Sequence, residues 1–177
     1  MNNTDLVQPV SNSDHVAGPA SARVTLVQYG DYECPFTSAS HWQIELLLKN
    51  FPNAVRFVFR HFPLQKKHMF AMRAAECAEA AGAQGKFWEM HRGLLRRDYP
   101  LGWESLREAA RGLKLDLEKF ESEVLGHVHR KKIQESINGG IRSGVESTPS
   151  YFINGTFYDG PDNYDDFAKL VEASKKP

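Results

Sequence analysis

In the stretch Gly30-Asp31-Tyr32-Glu33-Cys34-Pro35-Phe36-Thr37, an apolar, β-branched run ends and an amphipathic helix begins, with a cysteine at the junction. Val24-Thr25-Leu26-Val27-Gln28-Tyr29 before it has the pattern of a short strand buried on both faces. After it, Pro35 to about Lys49 carries Ile44, Leu47 and Leu48 at helical spacing and stops near Pro52. Proline is favoured in the first turn of a helix, so Cys34 sits at the helix N-terminus, where unpaired backbone N–H groups and the dipole favour an anion. Such a site favours the thiolate, which is the nucleophile. Three residues on, where a second thiol would complete a Cys-x-x-Cys pair, the chain has Thr37.

Working outward, Ala54 to His61 alternates as a second strand, so that strand, helix and strand make a βαβ unit with parallel strands. From about Gln65 to Arg142 the signals are helical. Phe70, Ala74, Cys77 and Ala81 share one face, and Phe87, Met90, His91 and Leu94 another. Trp103 to Leu113 and Leu117 to Leu125 form two short helices, the second capped by Asp116, and Ile133, Ile137 and Ile141 mark a last one. Strands return at Ser150 to Ile153 and Thr156 to Tyr158 around Asn154-Gly155, a strong hairpin signal because both residues tolerate positive φ. A helix over Asn163 to Ser174 closes the chain. The expected organisation is a mobile N-terminal arm over 1–22, an α/β domain built from 23–64 and 145–177, and a helical insertion over 65–144.

At 177 residues the chain accommodates one domain with a substantial core. Lys+Arg and Asp+Glu both number 22, and no block of like charge is present, which argues against nucleic acid as a partner. No segment reaches the roughly 18 apolar residues needed to cross a bilayer, and no membrane partner is expected. The polar start, Met1 to Ser13, lacks the basic, apolar and small-residue parts of a secretory signal. For a native start the expected location is cytoplasmic, although a chain already relieved of its signal would read the same way. Two cysteines in a reducing compartment are expected as free thiols.

Five segments together carry a family likeness: Asp14-His15-Val16 with Gly18-Pro19, the Val24 to Pro35 stretch, Arg60-His61-Phe62-Pro63-Leu64, Gly85-Lys86-Phe87-Trp88 with Met90-His91, and Thr148-Pro149 leading into Phe152-Ile153-Asn154-Gly155. The chain resembles the bacterial DsbA-like branch of the thioredoxin superfamily, including thioredoxin-like domains attached to sodium/proton antiporters. The resemblance implies a thioredoxin fold with an all-helical insertion between the second strand and the C-terminal hairpin. It also implies that Cys34 is the catalytic nucleophile and that Pro149 is a cis-proline facing it. Thr148 would then present free backbone groups to an extended substrate, with Pro35 and Phe36 as further substrate contacts.

The departure at Thr37 changes the expected chemistry. A dithiol enzyme resolves its mixed disulfide internally, which Thr37 cannot do. Thr37 enters instead as a hydrogen-bond donor to the Cys34 thiolate. The mixed disulfide then needs an external thiol, such as glutathione as co-substrate or a partner's second cysteine, with protein or peptide thiols and disulfides as partners. No other cofactor and no metal are expected. Cys77 reads as a buried core residue rather than a resolving thiol. His41 lies about 10 Å along the helix from Cys34, too far to act as its base, and His61 reads as a structural strand-end residue. Glu33 opposes thiol ionisation, and Tyr32 and Phe36 are placed either in an apolar docking surface or in packing. His127 and His129 are not at a metal-ligand spacing. Two other classes fit the same residues: a redox-inactive peptide-binding or chaperone-like module, and an enzyme like the kappa-type glutathione transferases, which use a hydroxyl residue near the start of the first helix.

Overall fold

The computed structural model describes residues 5–174. Its centre is a five-stranded sheet in the order β1-β3-β2-β4-β5. The strands are β1 (His15–Ala17), β2 (Val24–Gly30), β3 (Val55–His61), β4 (Ser150–Ile153) and β5 (Thr156–Tyr158). The two central strands are parallel, Val24 opposite Val55 through Gly30 opposite His61. Helix α1 (Pro35–Asn50) connects them. Both strands are almost wholly buried, as expected for parallel strands covered on two faces.

The hairpin pairs antiparallel with the other edge of β2, Leu26 opposite Ile153 through Tyr29 opposite Ser150. Its turn residues Asn154 and Gly155 have φ of 50° and 89°. The Asn154 side chain also ties the turn to the start of β2, accepting from the Thr25 N–H at 2.8 Å. Helix α7 (Tyr164–Ala173) is capped by Asn163, whose Oδ1 accepts from the Asp166 N–H, and buries Phe167 and Val171.

Five helices stand between β3 and β4: α2 (Ala71–Gly82), α3 (Phe87–Arg96), α4 (Trp103–Gly112), α5 (Leu117–Leu125) and α6 (Arg130–Arg142). This is the expected helical insertion, although it opens with a turn at 65–67 and its first helix starts only at Ala71. Alanine dominates α2, with Ala74, Ala78, Ala80 and Ala81 fully buried, so neighbouring helices approach closely. Asp116 caps α5 as expected, accepting from the Lys119 N–H at 3.0 Å.

Two expectations need correction. The fold does not begin after residue 22. Strand β1 pairs antiparallel with β3, and Arg60 gathers the segment before it, donating to the carbonyls of Gln8 and Pro9 and to both carboxylate oxygens of Asp14. Leu6 N–H bonds Gly155 C=O, and Val7 N–H bonds Ser143 Oγ. A polar, glycine- and proline-bearing sequence resembled a free arm because its partners lie far along the chain. Residues 1–4 lie outside the described residues. On α6, Ile133 and Ile137 are buried, but Ile141 is 59% exposed. Glycine takes the buried place there: a Cβ on Gly140 would lie 2.9 Å from the Phe62 ring and 3.0 Å from the Tyr29 ring. The last turn of α6 thus packs by its backbone.

Candidate active site

Cys34 is the N-cap of α1, with Pro35 as first helical residue and the Cys34 carbonyl accepting the first helical bond from Ser38 N–H at 3.1 Å. The turn delivering it from β2 is built by Asp31. One oxygen of this buried carboxylate accepts from Glu33 N–H at 2.7 Å, and the other from Leu64 N–H at 2.7 Å and from His68 Nδ1 at 2.8 Å. The bond from Asp31 to the amide two residues on is an Asx turn. The Asp31 carbonyl accepts from Cys34 N–H. Gly30 is required by close approach, because a Cβ there would lie 2.5 Å from the Phe59 ring and 2.9 Å from the Thr37 methyl.

Across from Cys34 lies the segment entering β4. The Cys34 thiol donates to the Thr148 carbonyl at 3.3 Å, joining residues 114 apart in sequence. The Thr148–Pro149 peptide bond is cis. Thr148 is buried, and its hydroxyl oxygen has no hydrogen-bond partner. Pro35 and Phe36 are exposed beside the thiol, Phe36 to 70%. Glu33 turns its carboxylate onto the Phe70 N–H at 2.7 Å, which brings exposed Met69 and Phe70 to the same rim. Pro35 and Phe36 thus flank a thiol that the Thr148 carbonyl, next to Pro149 in the chain, covers from the other side. Cys34 itself is 3% exposed.

Thr37 differs from expectation. It is fully buried, and its hydroxyl accepts from Asp31 N–H at 3.4 Å, bracing the turn rather than bonding the sulfur. Tyr32 lines no docking surface either. It is 1% exposed and hydrogen-bonds His91 Nδ1 through its hydroxyl at 3.0 Å. Burial raises the Tyr32 hydroxyl well above its ordinary value and drops His91 well below its own. Both stay neutral near pH 7. His41 packs edge-on to His91 at 5.4 Å between ring centroids, 3.6 Å from Glu45. It is a packing residue, consistent with its distance along the helix. Cys77 is fully buried and unpaired in α2, and burial pushes its thiol far up.

His61 Nε2 lies 3.0 Å from Glu79 Oε1. His15 Nε2 lies 2.9 Å from the same oxygen, and the three ligand-type atoms are within 4.8 Å of one another. Neither this cluster nor the roles of Asp31 and His68 emerged from sequence. The aspartate next to a glycine was the one local signal for the Asx turn, whereas the cluster joins positions 15, 61 and 79 from three elements.

Residues 11–173 match the family model described as Thioredoxin. The chain is 40% identical over 171 residues to the Na(+)/H(+) antiporter NhaA 1 of Salinispora arenicola, covering 96% of this chain and 26% of that protein. It is 38% identical over 158 residues to the Na(+)/H(+) antiporter NhaA of Nitrosospira multiformis, covering 88% and 25%. The chain thus spans about a quarter of the length of the curated relatives it matches. Among solved structures it is similar to BdbD from Bacillus subtilis in its oxidised form, with TM-score 0.83, 22% identity and 98% of both chains covered. It is also similar to a thioredoxin-like oxidoreductase from Silicibacter pomeroyi, with TM-score 0.82, 24% identity and 94% and 95% covered. The thiol-disulfide exchange protein alpha-DsbA2 of Wolbachia pipientis superposes with TM-score 0.78 at 21% identity, covering 92% and 88%. With its helices set between β3 and the hairpin, the chain belongs to the thioredoxin family and has the helix-inserted, DsbA-like form of the fold.

Proposed function

We propose that this chain is a thiol-disulfide oxidoreductase that works through one thiol. The observation that carries the reading is the placement of Cys34 at the N-cap of α1, its sulfur 3.3 Å from the Thr148 carbonyl, with no second thiol in reach. Thr37 holds the position of a resolving cysteine, and Cys77 is sealed inside α2. The Cys34 thiolate attacks one sulfur of a substrate disulfide, forming a Cys34–substrate disulfide and releasing the other sulfur as thiolate. A second thiolate, from glutathione or a substrate cysteine, then attacks the substrate sulfur of that bond. It leaves a new disulfide and regenerates the Cys34 thiolate, which keeps the electron balance neutral. The helix N-terminus offers unpaired N–H groups to the anion at each return. Thr148, whose carbonyl lies 3.3 Å from the sulfur, meets an extended peptide as an added strand would. Pro35 and Phe36 supply apolar contact.

The test is mass spectrometry after treatment with glutathione disulfide. One glutathione is expected at Cys34, removed by excess glutathione, with Cys77 unmodified. The Thr37→Cys variant is expected instead to form an internal disulfide and lose the stable adduct. Failure of Cys34 to react while a Cys34→Ser protein keeps binding unfolded peptide would replace this reading with the redox-inactive peptide-binding module.

A further inference from the structure

His15, His61 and Glu79 form a cluster that the thiol chemistry does not use, and its hydrogen bonding is internally inconsistent. Both histidines direct Nε2 at the single oxygen Glu79 Oε1, at 2.9 and 3.0 Å. Each contact requires a proton on Nε2. Yet Lys132 Nζ lies 3.1 Å from the same His15 Nε2 and 2.7 Å from Glu79 Oε2, and an ammonium, which only donates, requires a lone pair there. One nitrogen cannot meet both demands. On His61, a proton on Nε2 leaves Nδ1 as an acceptor, and this buried atom has no partner.

A divalent cation removes the conflict at Glu79, because two neutral imidazoles and a carboxylate then turn their lone pairs to one centre. Tetrahedral ligands about 2.0–2.1 Å from a metal stand roughly 3.3 Å apart, close to the contacts found here. We infer that His15, His61 and Glu79 form a binding site for a divalent transition-metal ion of the zinc class, with Lys132 as a tethered cation competing for the same donors. Two histidines and one carboxylate suit zinc, cobalt or nickel rather than calcium or magnesium, which prefer all-oxygen shells. The site opens into a small cavity of about 80 Å³ bordered by Gln8, Ser13, Glu135 and Ser136, and the Lys132 side chain is partly exposed.

The test uses the full chain with Cys34→Ser, which removes the thiol as a competing ligand, and titrates Co²⁺ by visible absorption. One equivalent is expected to give a low-symmetry nitrogen and oxygen spectrum. Lys132→Met is expected to tighten binding at least tenfold by removing the competing ammonium, whereas His15→Asn and Glu79→Gln abolish it. His15 lies on an edge strand and is partly exposed, so that variant keeps the core intact. Binding that survives His15→Asn, or that Lys132→Met leaves no tighter, overturns the inference.

Discussion

Asp31 fixes the position of Cys34 more directly than any other side chain. Its carboxylate, 1% exposed, accepts from two backbone amides and one histidine. Asp31→Ala leaves the Glu33 and Leu64 N–H groups without acceptors, and each unsatisfied buried donor costs about 1–3 kcal/mol. A loss of about 2–4 kcal/mol in urea unfolding is expected, together with slower alkylation of Cys34, since the turn that presents the thiol loosens. The place of Cys34 at the start of α1 was legible because it rests on local spacing, a cysteine before a proline at a strand-to-helix junction, whereas the bond of Thr37 was not: its hydroxyl accepts from Asp31 N–H instead of reaching the sulfur. Tyr32 was not legible either. Standing beside a cysteine says nothing about which way a ring turns, and here the ring goes inward because His91, 59 positions away, offers its nitrogen.

At the scale of elements, alternation and helical spacing located all the main strands and helices, and the Asn154-Gly155 turn fixed the hairpin. What periodicity could not show is a face that packs through the absence of side chains. Helix α6 meets Tyr29 and Phe62 through Gly140, so an isoleucine repeat of four residues overstated its buried stripe. Gly140→Ala is expected to destabilise the protein by about 1–3 kcal/mol through overpacking, despite alanine's advantage of about 1 kcal/mol in a helix. Gly112, at the end of α4, has no atom within 4 Å of a built Cβ. Gly112→Ala is expected to stabilise by about 0.4–1 kcal/mol. Thermal or urea denaturation of the pair separates close packing from intrinsic propensity. Strand β1 escaped for a related reason: three residues carry no readable period, and their place is set by β3 and the Arg60–Asp14 pair.

Across the whole molecule, buried neutral histidines set the response to acid. Burial drops His91 well below its ordinary value. It also lowers His41, against the pull of Glu45. In the unfolded chain both take up protons near pH 6.5, while the folded chain resists. Stability is therefore full above that pH and declines as pH falls through the unfolded value, until each folded value is reached. For His91 the slope is about 1.4 kcal/mol per pH unit. Urea midpoints are expected to be level from pH 7 to 8 and to fall steadily below pH 6.5, less steeply in His91→Gln. The long reach of the fold also has a consequence for biosynthesis. Cys34 and the Thr148 carbonyl that covers its sulfur are 114 residues apart, and ribosomes add about 5–20 residues per second. For roughly 6–23 s after Cys34 is made, the nascent chain thus carries this thiol without the carbonyl that covers it in the finished fold.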